Sequence, residues 1–319
     1  MLCEKRRPKE KLESAMSKSV LVRKDADQKK SRGGVVGIRD LVRISSGWKN
    51  WISRCANDGC SRPTAMLWKS SGISISEKRY CGPDCFETAA QARVSQLRLS
   101  SQTVDRPRKL RMPMGLVLLS KGILTAEQLR QALDQQRILG TNIGDTVQQL
   151  GFATEEQVTA AVAAQWGYPV FSSRAGQISA PVQIQIPRPL MQLYGFLPLH
   201  FVEPERKLLI GFVDAVQHQV LYAIEHMTSV VAMPCFITAG EYRRGLHCSP
   251  CPAREKEIIF ERPSTSAEIA RVVRNYVLQA GAEQARFGIC RDYLWARVWG
   301  PRQELDLLFR LSKDQGGER

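Results

Sequence analysis

Displacing the chain by 29 residues lays Met114–Gln136 over Ile143–Gln165, and seven of the 23 positions are identical: Gly115/Gly144, Gly122/Gly151, Thr125/Thr154, Glu127/Glu156, Gln128/Gln157, Ala132/Ala161 and Gln136/Gln165. Leu118, Leu129 and Leu133 fall on Val147, Val158 and Val162. Each copy predicts a short helix that Gly122 or Gly151 can end in a left-handed conformation. A second helix follows, opened by Thr125 or Thr154, three residues before Gln128 or Gln157 at the spacing of a capping box. On that helix Leu129, Leu133 and Gln136 stand at i, i+4 and i+7, as do Val158, Val162 and Gln165, so each set shares one face. Residues 114–166 are thus constrained to four short helices in two similar units. A polar amide that ends an apolar stripe, twice and in register, either meets a ligand or packs the edge of the core between the units.

The spacing of both copies resembles the cyclic di-GMP-binding N-terminal domain of type II secretion and type IV pilus assembly ATPases, the MshEN family. Its motif is R-L-G-x2-L-x3-G-x6-L-x3-L-x2-Q, given twice with a five-residue spacer. Met114, Gly115, Leu118, Gly122, Leu129, Leu133 and Gln136 match the first copy, and Ile143, Gly144, Val147, Gly151, Val158, Val162 and Gln165 the second; residues 137–141 are the spacer. The resemblance implies that each unit takes one guanylyl half of the ligand, with these residues and Asn142 as its site. Glycine at the helix starts would let the backbone approach phosphates, and the Leu and Val faces would cover the bases. The motif's first position departs from the family: its Arg is replaced by Pro113 and Asn142. Arg111 stands close by, and Asn142 keeps hydrogen-bonding capacity. Several members of the family use the fold only to dock a membrane-platform protein. The likeness continues through Ile186–Leu199 and Lys207–Asp214, and the tail from Ser264 resembles the small subdomain that precedes the ATPase core.

Four cysteines define a second feature. Cys55-x4-Cys60 and Cys81-x3-Cys85 are 20 residues apart, so two thiol pairs can each supply half of a tetrahedral zinc site. Met66–Lys69 and Ile73–Tyr80 read as two strands of one hairpin around residues 70–72. Cys85 stands in the first turn of a helix that Pro83 and Asp84 favour. Knuckle, hairpin and helix look like a treble-clef zinc finger. The zinc would be structural, because four thiolates leave no open coordination position. Cys248 and Cys251 have no second pair within reach and read as a loop.

The formal charge of +15 is uneven: residues 1–110 hold 24 Lys/Arg against 11 Asp/Glu, and the rest hold 22 against 20. A disordered basic arm is expected over 1–46, and nucleic acid is a possible partner of this basic third. No apolar stretch approaches the roughly 18 residues of a membrane span, so no membrane insertion is expected. Nine cysteines, an odd number, and no signal-peptide pattern point to the cytoplasm. The dipeptide Gly-Lys never occurs, so there is no P-loop. The four histidines, His200, His218, His226 and His247, form no catalytic spacing. A non-enzyme is therefore expected.

The fold class expected is α+β multidomain. A zinc module at 47–100 and a basic linker at 101–113 precede the helical repeat at 114–166. An α/β half at 167–246, a linker at 247–262 and a small α/β segment at 263–319 follow. The function expected is a cyclic di-GMP sensor or adaptor in a secretion, pilus or signalling system. The alternatives are a ligand-free docking scaffold and a zinc-containing nucleic-acid regulator.

Overall fold

Residues 293–298 are all buried, the signature of a strand covered on both faces. In the computed structural model, which describes residues 54–66, 69–70, 72–103, 111–171, 185–248, 257–301 and 303–312, that strand lies inside a six-stranded sheet. The described residues all lie in one compact unit, residues 49–319. The expected basic arm, the core of the 101–113 linker, and Cys251 lie outside the described residues. No helix among the described residues is long and apolar enough to cross a membrane.

The strands are β1 (Ala65–Met66), β2 (Lys69–Ser70), β3 (Ile73–Ile75), β4 (Lys78–Tyr80), β5 (Phe196–Val202), β6 (Lys207–Phe212), β7 (Val231–Phe236), β8 (Glu257–Ser264), β9 (Gln284–Cys290), β10 (Tyr293–Trp299) and β11 (Glu304–Leu311). The helices are α1 (Pro83–Thr103), α2 (Met114–Ser120), α3 (Ala126–Leu139), α4 (Ile143–Gln149), α5 (Glu155–Trp166), α6 (Arg188–Tyr194), α7 (His218–Thr228), α8 (Ala239–Cys248) and α9 (Ser266–Ala280). The mixture is α+β.

The larger sheet runs β4-β3-β9-β10-β11-β8, with β3 parallel to β9 and β8 parallel to β11. Period-two alternation sorts β10 between two cores. Leu294, Ala296 and Val298 face the cluster built with Phe86, Ala90 and Val94 of α1 and Ile269, Val273 and Val277 of α9. Tyr293 and Trp295 face the other cluster, which holds Val220, Ala223, Ile224 and Met227 of α7. Helix α7 comes close because β9 has a glycine there: a Cβ on Gly288 would sit 3.1 Å from Met227 Cγ. The second sheet, β5-β6-β7, joins the same core through Phe196, Leu208, Ile210 and Phe212, and packs α8 on its other face.

Three expectations need correcting. The segment between the thiol pairs forms two short hairpins, β1–β2 and β3–β4, instead of one around residues 70–72. The second turns at Ser76–Glu77, where Ser76 takes a positive φ of 55°, a turn chemistry that Ser does not advertise. Residues 257–262, read as linker, begin β8. As an edge strand it tolerates Pro263. Finally, the cysteine-bearing hairpin is hydrogen-bonded into the C-terminal sheet: Ser74 pairs with Gln284 and Ile75 with Ala285, so segments 47–100 and 263–319 share one core. Arg274 of α9 reinforces the union by pairing with Asp84 at 2.9 Å and Glu87 at 3.4 Å in the first turns of α1.

Candidate metal centre and ligand site

The first pair of thiols sits in a knuckle closed by backbone bonds: Cys55 N–H donates to Arg62 O, and Cys60 N–H to Asn57 O. The second pair brackets the start of α1, with Cys81 at the end of β4 and Cys85 in the first turn. Together they bring all four sulfurs within 4.8 Å of one another. Cys60 Sγ lies 3.6 Å from Cys81 Sγ, and Cys81 Sγ lies 3.8 Å from Cys85 Sγ. A tetrahedral ion with metal–sulfur bonds of about 2.3 Å requires sulfurs about 3.8 Å apart. Disulfide sulfurs would be about 2.05 Å apart, and all four cysteines are free. The cluster therefore could hold a metal ion.

Its electrostatics point the same way. Burial opposes ionisation of Cys55, but the backbone N–H groups of Asn57 and Cys81, and the neighbouring thiols, bring it down to about 7. Burial and the surrounding thiols push Cys81 up to about 12. One thiolate forms readily, and four cannot coexist at this distance without a cation among them.

The repeat folds as its glycines and threonines dictate. Gly122 and Gly151 take φ values of 68° and 70° after α2 and α4. Thr125 N–H donates to Gln128 Oε1 at 2.9 Å while Gln128 N–H donates to Thr125 Oγ1 at 3.2 Å, and Thr154 with Gln157 repeats the box at 2.8 and 3.3 Å. The copies then cross: α2 of the first lies against α5 of the second, and α4 of the second against α3 of the first. The two helix-start glycines let each copy's own two helices approach closely, and Gly144 also meets Met114 of the first copy. A Cβ on Gly115 would lie 2.7 Å from Leu129 Cδ1; one on Gly144 would lie 3.0 Å from Met114 Cε and 3.1 Å from Val158 Cγ1.

The motif residues divide by burial. Leu118 and Val147 are fully buried, and Val158 and Val162 nearly so, in the core shared by the two copies. Leu129, Gln136, Ile143, Met114 and Gln165 are half-buried, whereas Leu133 (41% exposed), Gly122, Asn142 and Gly151 face solvent. The stripes are unequal because α5 also packs on β7, through Trp166 and Phe236 with ring centroids 6.3 Å apart, while α3 does not. Gln165 makes a defined contact: its Nε2 donates to Met112 O at 2.7 Å.

Sequence reasoning missed two features. Arg111 lays its guanidinium over the Trp166 ring, 3.2 Å from the centroid. In the larger sheet, Asp306 is buried and accepts from Trp295 Nε1 at 2.7 Å and from Arg297 Nε at 2.7 Å and Nη2 at 2.9 Å; Arg297 Nη2 also donates to Gln185 O at 2.6 Å. The Trp-x-Arg of β10 and the Asp of β11 face each other across paired strands, and only the register reveals them.

No protein-family model matches the chain. It is 25% identical over 213 residues to the type IV pilus assembly ATPase PilB of Thermus thermophilus, covering 64% of this chain and 24% of that protein. It is 30% identical over 134 residues to bacteriophage adsorption protein B of Escherichia coli K12, covering 42% of this chain and 18% of that protein. The chain thus spans about a quarter or less of the length of these curated relatives. Among solved structures it is similar to that of MshE with cdg, at 23% identity and TM-score 0.36, over 43% of this chain and 98% of that one. It is also similar to the N-terminal domain of XpsE, at 14% identity and TM-score 0.33, over 42% of this chain and 92% of that one. The shared sequence thus runs along a segment of a type IV pilus assembly ATPase.

Proposed function

We propose that this chain is a non-enzymatic cyclic di-GMP sensor or adaptor related to the N-terminal domain of secretion and pilus ATPases. Two motif copies in register, folded as crossing helix pairs, carry the reading. The similarity to a pilus ATPase supports it. A ligand with two like halves needs apolar cover and a polar anchor for each, and Leu129 and Leu133 with Gln136 on α3, and Gln165 at the end of α5, are the residues that could supply them. The same reading takes the four thiols as a structural zinc site in a treble-clef-like module, because four soft thiolates in tetrahedral array select zinc.

Calorimetric titration of the full chain with cyclic di-GMP is expected to saturate. Absence of heat up to about 100 μM ligand, a binding free energy of roughly −5.5 kcal/mol, would sink the sensor reading. Gln136→Ala and Gln165→Ala are each expected to weaken binding by roughly tenfold, the worth of one good hydrogen bond.

The second reading is a docking scaffold, favoured by the burial of Leu118, Val147, Val158 and Val162 in the core and by exposed Leu116, Leu133 and Ile138 outside it. On that reading a secretion or pilus component binds the repeat with equal affinity in the presence and absence of cyclic di-GMP.

A further inference from the structure

The register of the larger sheet sets two like charges directly opposite each other. Arg286 of β9 is the cross-strand partner of Arg297 of β10, a pairing that costs stability unless negative charge offsets it. On its other side Arg297 faces Asp306 of β11, which takes its charge. Arg286 has no such relief: it makes no ion pair among the described residues. It gives only Nη1, to Met227 O at 3.4 Å and Ser229 Oγ at 3.1 Å at the end of α7, and its guanidinium lies 5.5 Å from the centroid of Trp299.

Both arginines line a cavity of about 250 Å³ where the two sheets meet, and Arg206, from the turn between β5 and β6, lines it too. A guanidinium carries five N–H donors. Arg297 uses Nε and Nη2 on Asp306 and Gln185 O, and Arg206 uses Nε and Nη2 on Ser229 O and Thr228 O. Nη1 of each, with Nε and Nη2 of Arg286, has no acceptor among the described residues. The lining carboxylates do not close this gap: Glu304 sits 3.5 Å from Arg297 Nε, and Glu203 is exposed. Surplus guanidinium donors call for anionic oxygens, and phosphate takes them in pairs.

One lining atom makes the opposite demand. Gln185 Oε1 is buried without a hydrogen-bond partner. An unmet buried acceptor is costly, and a bare anion leaves it unmet, whereas a hydroxyl satisfies it. The cavity has the volume of roughly eight waters. That is below the range of about 300–1,000 Å³ that drug-sized ligands occupy, and it suits a phosphate carrying a short polyol.

We infer that this cavity binds a small phosphorylated polyol, with its phosphate on Arg286, Arg297 and Arg206 and a hydroxyl on Gln185 Oε1. The inference is independent of the cyclic di-GMP reading, since none of these residues belongs to the repeat. The test is calorimetric titration of the full chain with glycerol phosphate, inorganic phosphate and glycerol, for wild type, Arg286→Gln and Gln185→Ala, with thermal melts of each. Wild type is expected to bind glycerol phosphate saturably and at least tenfold more tightly than inorganic phosphate, to ignore glycerol, and to melt higher with glycerol phosphate bound. Arg286→Gln is expected to weaken glycerol phosphate binding at least tenfold, with a ligand-free melt unchanged or raised because the facing charges are relieved. Gln185→Ala is expected to weaken glycerol phosphate roughly tenfold and leave inorganic phosphate unaffected. No saturation of wild type by glycerol phosphate up to about 10 mM overturns the inference. So does wild-type affinity in Arg286→Gln, or inorganic phosphate that binds as tightly as glycerol phosphate.

Discussion

Serine in place of Cys81 is expected to strip the chain of one equivalent of zinc and to lower its melting temperature more than any single core truncation does. Zinc bound to small peptides supplies on the order of 10 kcal/mol, against about 2–5 kcal/mol for a buried Leu or Ile cut to Ala. Two features make the loss severe. Cys81 Sγ lies 3.6 and 3.8 Å from two of the other sulfurs. Its neighbours Tyr80 and Phe86 are core residues of the cluster that β9, β10 and α9 share, so a loosened knuckle frees the edge of the large sheet and the start of α1. Elemental analysis of protein purified without chelator, with thermal melts of wild type and variant, reads both effects. A wild-type chain carrying less than about a tenth of an equivalent of zinc, with a melt that Cys81→Ser leaves unmoved, would overturn the metal reading.

The second large effect is expected from Asp306→Ala. The carboxylate is 1% exposed and accepts from Trp295 and twice from Arg297, whose own side chain is 8% exposed. Its removal leaves a buried guanidinium with only Glu304 at 3.5 Å and the Gln185 carbonyl at 2.6 Å, and an indole N–H without its acceptor. Removing one partner of a buried pair costs about 3–5 kcal/mol. A protein of this size then melts roughly 6–20 °C lower. Asp306→Asn, which keeps an acceptor but loses the charge, is expected to lie between wild type and alanine. Chemical denaturation decides it: a loss under about 1 kcal/mol for alanine would mean that Glu304 and water already carry the arginine.

What could be read from the sequence was whatever a few neighbouring residues determine. The paired capping boxes at Thr125 and Thr154, the left-handed glycines at 122 and 151, and the helix carrying Cys85 all rest on interactions within four residues, and the structure has each. Spacing alone proposed that Cys55, Cys60, Cys81 and Cys85 converge, and they do. The misses lie where the partner is distant. Three residues of β3 carry no mark of a strand made some two hundred residues later, and β8 looked like linker because nothing local announces a parallel neighbour. The two apolar stripes look equivalent in sequence, but their burial differs because α5 meets β7 and α3 does not. Arg111 was legible as a nearby cation; its stack on Trp166 depends on how the two copies close.

The junction of β3 with β9 also bears on the order of assembly. Ser74 Oγ donates to Glu283 O at 3.1 Å across 209 positions of chain. During synthesis the cysteine knuckle leaves the ribosome long before the strand that shelters it exists, and domains emerge N-terminal part first. Closing so long a loop is also slow compared with forming the helices between. For that interval the thiol cluster has only local hairpins, α1 and any captured ion to hold it. The metal would thus act as a placeholder, preserving an exposed sheet edge in pairing geometry until residues 284–285 arrive.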